Sequence, residues 1–485
     1  MKHLQRVLLL LICITISSQS YYSAPVNAKP EDSTAKLNEV LKLIQGFHLS
    51  GASEAELADA AIQGMIDYLG DPYTEYYSKK EESQLLELLG GHTLSIGIRI
   101  DIENDQLYIS DVRVGSPAEQ SGLIKGDFLK EINGKQVTVD NIGELLKAAS
   151  GKKEGDTITL VIHRKSESKQ FIIPFKNMEI PNVTSQWFPE SQTGYISLAL
   201  FTVDTDKAFT TSLQGLEKKG MKSLLLDLRN NGGGYMEAAK QIASHFIKEG
   251  VFYHTINRDG EKRSVSLSKG TQVTYPIFIL VNEYSASASE VFAGAMQDYK
   301  LAQIIGEQTY GKGVIQLILP VLNGGTLKVT TQEYLTPNLH EVHEVGIKPD
   351  IEVRGSTEQL VRVLQLSGEK SISLSMSKAE LTLNNVSFPR LEPDSKSTSF
   401  ILEKDHYFIA SRLLMAVIGG EAIWDNNTSS VVLSKKDIKL TLSSSSKDMI
   451  IRNGVSYVKA AVFAKKFREL SWYIKDGTIS LKASH

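Results

Sequence analysis

The sequence predicts a multidomain chain of α/β and α+β type. We expect a helical N-terminal region, a small β-domain, an αβ core and a small α+β C-terminal repeat domain. At 485 residues the chain is too long for one ordinary hydrophobic core, so two to four domains are expected. Its middle part alternates apolar strands with helices. After a polar stretch at about residues 367–399, the pattern of predicted elements changes.

The composition excludes several classes of protein. A hydrophobic fraction of 41% and a charged fraction of 22% are typical of soluble globular proteins. The formal charge of −3, with both signs interspersed, provides no basic face, so no nucleic-acid partner is expected. After the first thirty residues no apolar run is long enough to span a membrane.

The N-terminus has the three-part layout of a secretory signal. Lys2 and Arg6 precede an apolar run from Val7 to Ile16, and small side chains occupy positions −3 and −1 of a cut after Ala28. We therefore predict a signal peptide over residues 1–28, with an uncleaved membrane anchor as the alternative. The only cysteine, Cys13, lies within it, so the mature chain would have neither disulfides nor a thiol nucleophile. We expect the protein outside the cytoplasm, secreted or at the outer face of the membrane or cell envelope.

Residues 29–90 are predicted to be helical. Two stretches, Leu37 to Ile44 and Leu57 to Ile66, have apolar residues at helical spacing. Gly70-Asp71-Pro72 ends the second helix, because proline cannot continue it.

Residues 91–178 alternate short strands with turns. Strands are predicted at Ser95–Ile100 and Leu107–Val112, followed by a short helix in Ser116–Gly122 with serine, proline and glycine at its ends. A hairpin with an Asn-Gly turn in Gly126–Gly134 and an amphipathic helix near Asn141–Ala149 come next.

This order of elements resembles a PDZ domain. The resemblance puts Ser95, Ile96, Gly97 and Ile98 in the place of the carboxylate-binding loop. Such a domain binds a peptide as an added strand, and successive backbone N–H groups hold the terminal carboxylate. A small β-domain without a ligand is the alternative.

Residues 179–355 are predicted to form the catalytic core. Ser223–Arg229, Ile277–Val281 and Ala302–Gly306 are apolar on both faces, as strands covered by helices should be. We expect a linker at residues 356–399 and a separate domain at residues 400–485. That domain has two helix-then-Trp-then-strand units, which resemble the stalk repeats named after the N-terminal domain of copper amine oxidases. It has no cluster of metal ligands, so we interpret it as an accessory module.

A row of serines and one lysine carry the chemistry. Ser285, Ser287 and Ser289 precede a predicted helix, and Lys312 lies between two glycines. A serine hydroxyl is a poor nucleophile until a base takes its proton, and a lysine can be that base if burial lowers its pKa. The pattern indicates a Ser/Lys hydrolase, although a serine-rich helix cap and a surface lysine would look the same locally.

The wider pattern resembles the C-terminal processing peptidases, or tail-specific proteases, of peptidase family S41. The resemblance extends from about Leu57 to Asp350. In that family the nucleophile lies twenty-five residues before the lysine, which selects Ser287, and a glutamine lies four residues after it, which selects Gln316. The resemblance implies a serine endopeptidase without a cofactor, whose helical N-terminal region often mediates dimer contact.

The oxyanion hole is predicted from two segments. Ala288 begins the helix after the nucleophile, where backbone N–H groups are free to donate. The turn Asp227–Gly234 resembles the family's LRNNPGG motif, with Gly232 in place of proline. We favour Gly233 as the second donor and Gly234 as the alternative. A phosphate-binding loop is the rival interpretation, but no Gly-Lys-Ser/Thr follows.

Lys312 is predicted to be the general base. Its pKa would have to fall from about 10.4 to about 7–8 for it to be neutral when required. Even spacing places Lys312, Val314 and Gln316 on one face of a strand. The glutamine amide could then accept a hydrogen bond from the lysine and orient it.

Histidine chemistry is not expected. The sequence has no Gly-x-Ser-x-Gly elbow, and His340 and His343 have a spacing of three rather than four. We interpret them as solvated loop residues and predict no metal site. Leu339 replaces a glycine that the family has in this loop.

The sequence as a whole predicts a secreted serine endopeptidase that recognises a free C-terminus and cleaves upstream of it. Its expected partners are protein substrates with apolar C-termini, a second copy in a homodimer, and a nearby membrane or cell wall. Arg164 is a candidate regulatory latch between the PDZ domain and carboxylates of the core. The rival functions are a catalytically silent scaffold that binds C-termini and a Ser/Lys amidase acting on cell-wall material.

Overall fold

The computed structural model describes residues 33–90, 92–103, 106–143, 152–165, 167–179, 182–322, 324–377, 380–389, 399–475 and 478–484. The predicted signal peptide and most of the helix predicted near Asn141–Ala149 lie outside these residues. Within them, no helix combines the length and the apolar character needed to cross a bilayer. The chain divides into two compact units, Met1–Asp71 and Pro72–His485.

The first unit contains the two predicted helices, α1 (Ser33–Phe47) and α2 (Glu54–Leu69). Ser53 begins α2 with a capping box, in which its hydroxyl accepts the N–H of Glu56 and the Glu56 carboxylate accepts the N–H of Ser53. The helix ends at Gly70, whose φ of 64° favours glycine. The helices predicted here are confirmed.

The second unit begins with a short strand and a helix, β1 (Glu75–Tyr77) and α3 (Lys79–Leu89). The β-domain follows, with the elements β2 (His92–Ser95), β3 (Ile98–Glu103), β4 (Gln106–Val112), α4 (Pro117–Gln120), β5 (Phe128–Ile132), β6 (Lys135–Gln136), β7 (Thr157–Arg164), β8 (Glu167–Pro174) and β9 (Lys176–Glu179). The strand order is β3-β4-β5-β7-β8, with β6 on β5, and β2 pairs with β9. The strand predicted at Ser95–Ile100 is therefore interrupted, because its two halves pair with different strands.

The core contains a six-stranded sheet of β10 (Val183–Phe188), β11 (Thr193–Leu198), β12 (Ser223–Asp227), β15 (Ile277–Val281), β16 (Ala302–Gly306) and β19 (Ile351–Glu352). The strands lie in this order, and all neighbours are parallel except β10 and β11. Its helices are α5 (Thr205–Lys218), α6 (Met236–Ala243) and α7 (Ala288–Asp298). The buried strands predicted at Ile277–Val281 and Ala302–Gly306 are confirmed residue for residue.

A second sheet lies beside the catalytic segments. It is formed by β13 (Gly250–Asn257), β14 (Lys262–Leu267), β17 (Val314–Pro320) and β18 (Thr326–Leu335). The order is β1-β18-β13-β14, with β17 also on β18. This sheet joins β1 to a strand about 250 residues later in the sequence, with Glu75 opposite Lys328.

The two faces of the core sheet belong to different hydrophobic clusters. Leu224 and Leu226 pack into a cluster that includes residues of α5, α6 and α7. Leu225, which points to the opposite face, belongs to a cluster that also contains Leu414 and Phe463 of the C-terminal region. The C-terminal region therefore shares a hydrophobic core with the catalytic sheet.

The prediction of a linker at residues 356–399 is wrong, because this segment contains a helix and three strands. It contains α8 (Ser356–Leu366), β20 (Ser371–Met376), β21 (Glu380–Leu383) and β22 (Val386–Pro389), although residues 390–398 are not described. β20 alternates buried and half-buried side chains and pairs with a strand of the C-terminal region. The segment is ordered because this apolar face is covered, so the module begins before residue 400.

The rest of the C-terminal module consists of β23 (Phe400–Glu403), β24 (His406–Ala410), α9 (Ser411–Ile418), β25 (Glu421–Asp425), β26 (Ser430–Lys435), β27 (Ile438–Ser443), β28 (Met449–Arg452), β29 (Val455–Lys459), α10 (Ala460–Lys466), β30 (Ser471–Lys475) and β31 (Thr478–Ser484). The sheet orders are β22-β21-β20-β31-β30, β23-β24-β29-β28 and β25-β26-β27. Both predicted units have the order strand, helix, strand, strand. Their resemblance to stalk repeats stays a prediction.

Candidate active site

Ser287 lies at the junction between β15 and α7, immediately before the first residue of the helix. Its backbone has φ 57° and ψ −117°, in a region that residues other than glycine seldom adopt. Such a conformation costs of order 1–3 kcal/mol and persists only where the surrounding structure enforces it. The serine is half-buried.

The other two serines of the row have structural partners. The hydroxyl of Ser285 donates to the carbonyl of Leu228 at 2.8 Å, and that of Ser289 donates to the carbonyl of Asn231 at 2.9 Å. Both serines are fully buried. They tie the start of α7 to the glycine turn, which leaves Ser287 as the accessible hydroxyl of the three and favours it as the nucleophile.

Glu290 connects the serine segment to the lysine segment. One carboxylate oxygen, Oε2, accepts the backbone N–H groups of Ser287 and Lys312, each at 2.8 Å. The other oxygen, Oε1, accepts the N–H of Gly311 at 2.7 Å and the hydroxyl of Thr309 at 2.5 Å. Burial raises the pKa of this carboxyl, while the hydrogen bonds that it accepts act in the opposite direction. Four donors and no acceptor fit an ionised carboxylate.

Tyr334 connects the same two segments on their carbonyl side. Its hydroxyl lies 2.9 Å from the carbonyl oxygen of Lys312 and 3.1 Å from that of Ser287. The ring is buried, which raises the pKa of the phenol and keeps it a donor. The backbones of residues 287 and 312 are thus held by one shared acceptor and one shared donor.

Sequence reasoning missed both of these residues. Glu290 had a local signal, since a glutamate three residues after a helix-capping serine is the capping-box pattern. Tyr334 had none, because its role depends on the pairing of β18 with both the neighbouring β17 and the distant β13.

The side chain of Lys312 is half-buried and lies against an aromatic ring. Its Nζ is 4.8 Å from the centroid of the Tyr73 ring, within cation–π distance. Tyr73 belongs to the Gly-Asp-Pro-Tyr stretch that the sequence alone identifies only as the end of a helix. β17 begins at Val314, two residues after the lysine.

Gln316 lies on β17, opposite Thr330 of β18. Its Nε2 donates to the Thr330 hydroxyl at 3.3 Å, so this contact uses the nitrogen side of the amide. The register shifts between Ile315 and Gln316, and Thr331 on the partner strand is passed over. The predicted role of the amide oxygen, accepting from the lysine, stays a prediction.

The glycine turn is fixed by an ion pair at its start. The guanidinium of Arg229 pairs with the Asp227 carboxylate at 2.5 Å, and both groups are buried. Arg229 also donates to the carbonyl of Ser356 at 2.6 Å, and Tyr195 donates its hydroxyl to Asp227 at 2.9 Å. These bonds satisfy both charges. They also anchor the turn to β11 through Tyr195 and to α8 through Ser356.

Gly233 lies against the nucleophile. Its φ is 104°, and a Cβ there would come within 2.8 Å of the Ser287 Cβ and 3.0 Å of the Ala288 nitrogen. Its N–H donates to the side-chain oxygen of Asn231 at 2.9 Å. The predicted oxyanion donor is therefore close to the serine but bonded elsewhere in this structure. The alternative, Gly234, has φ 124° and is in bridge contact with Phe201.

The predicted carboxylate-binding loop lies between two strands. Ser95 ends β2, Ile98 begins β3, and Gly97 between them has φ 83° with its N–H bonded to the Ser95 hydroxyl at 2.9 Å. A Cβ on Gly97 would collide with Ser116. Ile96 is buried and accepts the N–H of the first α4 turn through its carbonyl. In the described part of the domain, β3 pairs only with β4, so no described strand pairs with its other edge.

Arg164 pairs within the PDZ-like domain. Its guanidinium donates to both carboxylate oxygens of Asp127, at 2.7 and 2.8 Å, and to the carbonyl of Gly122 at 2.8 Å. It also lies 5.8 Å from the Phe171 ring. The predicted latch to carboxylates of the core would require the bond to the buried Asp127 to break, and it stays a prediction.

The two histidines differ in their surroundings. His343 is half-buried, and within the described residues its buried Nδ1 has no hydrogen-bond partner, so the prediction of a solvated loop residue is wrong for it. His340 Nδ1 lies 3.1 Å from a carboxylate oxygen of Asp298. Across the described ranges, no group of three or more His, Cys, Asp or Glu side chains has the arrangement of a metal site.

The chain is similar to known protein families, relatives and solved structures. A family model for peptidase family S41 matches residues 192–353, one for a PDZ domain matches residues 95–174, and one for the activating protease CtpB N-terminal domain matches residues 15–81. The chain is 32% identical over 363 residues to a probable CtpA-like serine protease of Staphylococcus aureus (strain bovine RF122 / ET3-1), covering 74% of this chain and 73% of the relative.

It is also 28% identical over 374 residues to the carboxy-terminal processing protease CtpB of Bacillus subtilis (strain 168), covering 76% of this chain and 78% of the relative. Among solved structures, the photosystem II D1 C-terminal processing protease is 26% identical with a TM-score of 0.43, covering 68% of this chain and 96% of that one.

Proposed function

The chain belongs to the carboxy-terminal processing serine proteases of peptidase family S41, and from this premise we propose that it is a secreted endopeptidase selective for free C-terminal tails. We propose Ser287 as the nucleophile, Lys312 as the general base and Gln316 as the residue that orients the lysine. The observation that carries this assignment is the Glu290 carboxylate, which accepts the N–H groups of Ser287 and Lys312 on the same oxygen.

We propose the following reaction for these residues. Lys312 in its neutral form takes the proton of the Ser287 hydroxyl while the oxygen attacks the carbonyl carbon of the scissile peptide. The carbonyl oxygen becomes an oxyanion that the N–H of Ala288 and an N–H of the glycine turn stabilise, each by about 3–4 kcal/mol. The lysine then returns the proton to the leaving amine, and water hydrolyses the acyl-enzyme by the same steps.

The hydrogen bond from Gly233 to Asn231 must break if Gly233 is to donate to the oxyanion. Its N–H is bonded to Asn231, so either that bond breaks when substrate binds or Gly234 supplies the second donor. If the Gly233–Asn231 bond does not break and Gly234 does not donate, the oxyanion hole stays incomplete and cleavage is slow.

Tail recognition is assigned to the PDZ domain. The edge of β3 away from β4 can accept a peptide as an added strand, and the loop of Ser95, Ile96, Gly97 and Ile98 would hold the terminal carboxylate with its backbone N–H groups. We propose that the preferred tails are apolar, since three isoleucines of β3, Ile98, Ile100 and Ile102, are only partly buried beside this edge.

We propose that the protein acts outside the cytoplasm, in the cell envelope or beyond it. The support is the predicted signal peptide over residues 1–28, a segment outside the described residues. Envelope substrates would lie close to the membrane or the cell wall. Detection of the mature chain in the extracytoplasmic fraction, and its loss when the segment is deleted, tests this assignment.

We propose that the protein is a homodimer through its N-terminal helices. On α1, Leu37, Val40, Ile44 and Phe47 lie at helical spacing and are each at least 40% exposed. An exposed apolar stripe of this kind is typical of an interaction surface. Sedimentation velocity of the mature chain and of Phe47→Asp tests this, because a dimer through α1 should dissociate in the variant.

Cleavage of an unfolded reporter with an apolar free C-terminus tests the proposed activity. The wild type should cleave it, Ser287→Ala should not, and Ser289→Ala, which removes a buried hydroxyl of the same row, should keep measurable turnover with lower stability. An amidated tail should be cleaved more slowly than the free acid. Binding of the tail without cleavage by any form would favour the silent scaffold, and cleavage of cell-wall amides without tail dependence would favour the amidase.

A further inference from the structure

The contact between Lys312 and Tyr73 depends on the charge of the lysine. The Nζ atom lies 4.8 Å from the centroid of the ring. The face of an aromatic ring has negative electrostatic potential and attracts an ammonium group within about 6 Å. A neutral amine carries no net charge and is attracted far less, so the contact strengthens when the lysine gains a proton.

The ring is held in place by the strands that also hold Gln316. The hydroxyl of Thr74 accepts the N–H of Thr330 at 3.2 Å, and the hydroxyl of Thr330 in turn accepts the amide of Gln316. One residue later the β1–β18 ladder begins. Pro72 restricts the backbone φ directly before the tyrosine. The position of Tyr73 is therefore set by the same sheet that positions the catalytic segment.

We propose that Tyr73 is a positioning residue for Lys312. Its ring stabilises the ammonium that forms as the lysine takes the serine proton. This rests on the proposed function, because it requires Lys312 to be the general base. In that step the O–H bond of Ser287 breaks, an N–H bond forms on Lys312 and the serine oxygen bonds to the substrate carbon. The ring interaction is stronger after the proton has moved than before, which is the condition for lowering the barrier.

Other ionisable groups also surround this lysine. Burial acts to raise the pKa of Glu75, but its bonds to Lys328 and Tyr77 lower it, and Lys312 adds a smaller contribution in the same direction, so this carboxylate is within electrostatic range of the lysine. Glu290 lies at the backbone N–H of Lys312. The Tyr334 hydroxyl lies at its carbonyl. The carboxylates also attract the ammonium once it forms, whereas the ring adds attraction without adding a charge or a second proton acceptor.

A fluorination series isolates the contribution of the ring face. In the full-length protein, Tyr73→Phe is made first, and the phenylalanine is then replaced by analogues with one, two, three and five ring fluorines. Fluorination weakens the negative face while the ring keeps its shape. The measurement is kcat/KM against pH on a short peptide ester that does not need the PDZ domain.

We expect Tyr73→Phe to stay within about threefold of the wild type, because the face is kept. Along the series the high-pH plateau of kcat/KM should fall in steps. For the pentafluoro ring it should be about tenfold below the value for phenylalanine, a range typical of a cation–π contact. The acidic limb of the profile should move to lower pH, since a less stabilised ammonium loses its proton more easily.

Tyr77 provides the matched control. It ends β1, the strand that follows Tyr73, and its ring is 5.9 Å from the Nζ of Lys328, which has no part in the proposed reaction. The same series at Tyr77 should move neither the plateau nor the limb. A flat series at Tyr73 in a protein whose Lys312→Ala variant is inactive would overturn this inference and leave the proposed function standing. Full activity of Lys312→Ala would overturn both.

Discussion

The backbone N–H groups of Ser287 and Lys312 donate to the same carboxylate oxygen of Glu290, each at 2.8 Å. Ser287 begins a helix of the core, and Lys312 lies in a loop before a strand of a different sheet. This buried side chain, together with Tyr334 on the carbonyl side, therefore fixes the distance between the backbones of the proposed nucleophile and the proposed base.

Replacing Glu290 by glutamine should reduce turnover sharply. Four donors converge on the carboxylate, and an amide would turn its own N–H groups toward two of them. We expect kcat to fall about a hundredfold with KM little changed, because small displacements of reacting groups have effects of this size. Steady-state kinetics and a thermal melt check this, and activity within threefold of the wild type in a folded variant would contradict it.

Adjacent glycines of the turn should respond differently to alanine. At Gly233, φ is 104° and a Cβ would come within 2.8 Å of the Ser287 Cβ, so Gly233→Ala should displace the nucleophile and lower kcat at least a hundredfold. At Gly232 no atom lies within 4 Å of a Cβ, so Gly232→Ala should stay within about threefold. Equal losses in both variants would show that the turn, rather than its contact with Ser287, determines the rate.

Arg164 and Asp127 distinguish a latch from a structural ion pair. Arg164→Ala leaves the buried Asp127 without its ion-pair partner. This variant should therefore be less stable than the wild type, by about 2 kcal/mol at this partly exposed site. If Arg164 also acts as a latch, the ratio of peptide-stimulated to basal cleavage should change in Arg164→Ala and change in the opposite sense in Asp127→Asn, which releases the guanidinium. An unchanged ratio in both variants would remove the latch.

The stability of the protein should depend on pH through Glu369. Glu369 is 4% exposed, and within the described part of the chain neither of its carboxylate oxygens makes a hydrogen bond of good geometry, although Ser191, Glu190 and Asn384 lie close to it. Burial, and after it the neighbouring Glu190, raises the pKa of Glu369. A raised folded-state pKa means that the stabilisation is complete below the unfolded-state pKa and is lost as the pH rises through the folded-state pKa.

Glu369→Gln stays neutral and should therefore be more stable than the wild type at pH 8, by on the order of 1 kcal/mol, and nearly equal to it at pH 4. Thermal melts at the two pH values check this. The control is Glu249→Gln, at an exposed position. The same shift in the control, or a gain at pH 4 alone, would contradict the assignment.

Local sequence patterns predicted the elements whose burial is set by their own residues. Ile277–Val281 is apolar on both faces and was predicted with its bounds, and the serine, proline and glycine around α4 lie as predicted. The alternation in Ser371–Met376 is a signal for β20, but the strand lies in a polar stretch whose composition indicates a linker. Tyr73 could not be linked to Lys312, because their proximity depends on strands paired across about 250 residues.

The shared hydrophobic core has a consequence for the order in which the protein can be completed during synthesis. β20 and its partner β31 are separated by about a hundred residues, so the ladder between them cannot form until the later strand has left the ribosome. Until then, the face of the catalytic sheet that contains Leu225 lacks its cover. A nascent chain that already includes Ser287 and Lys312 would therefore hold an unfinished protease, and cleavage would begin only after translation of the module that covers it.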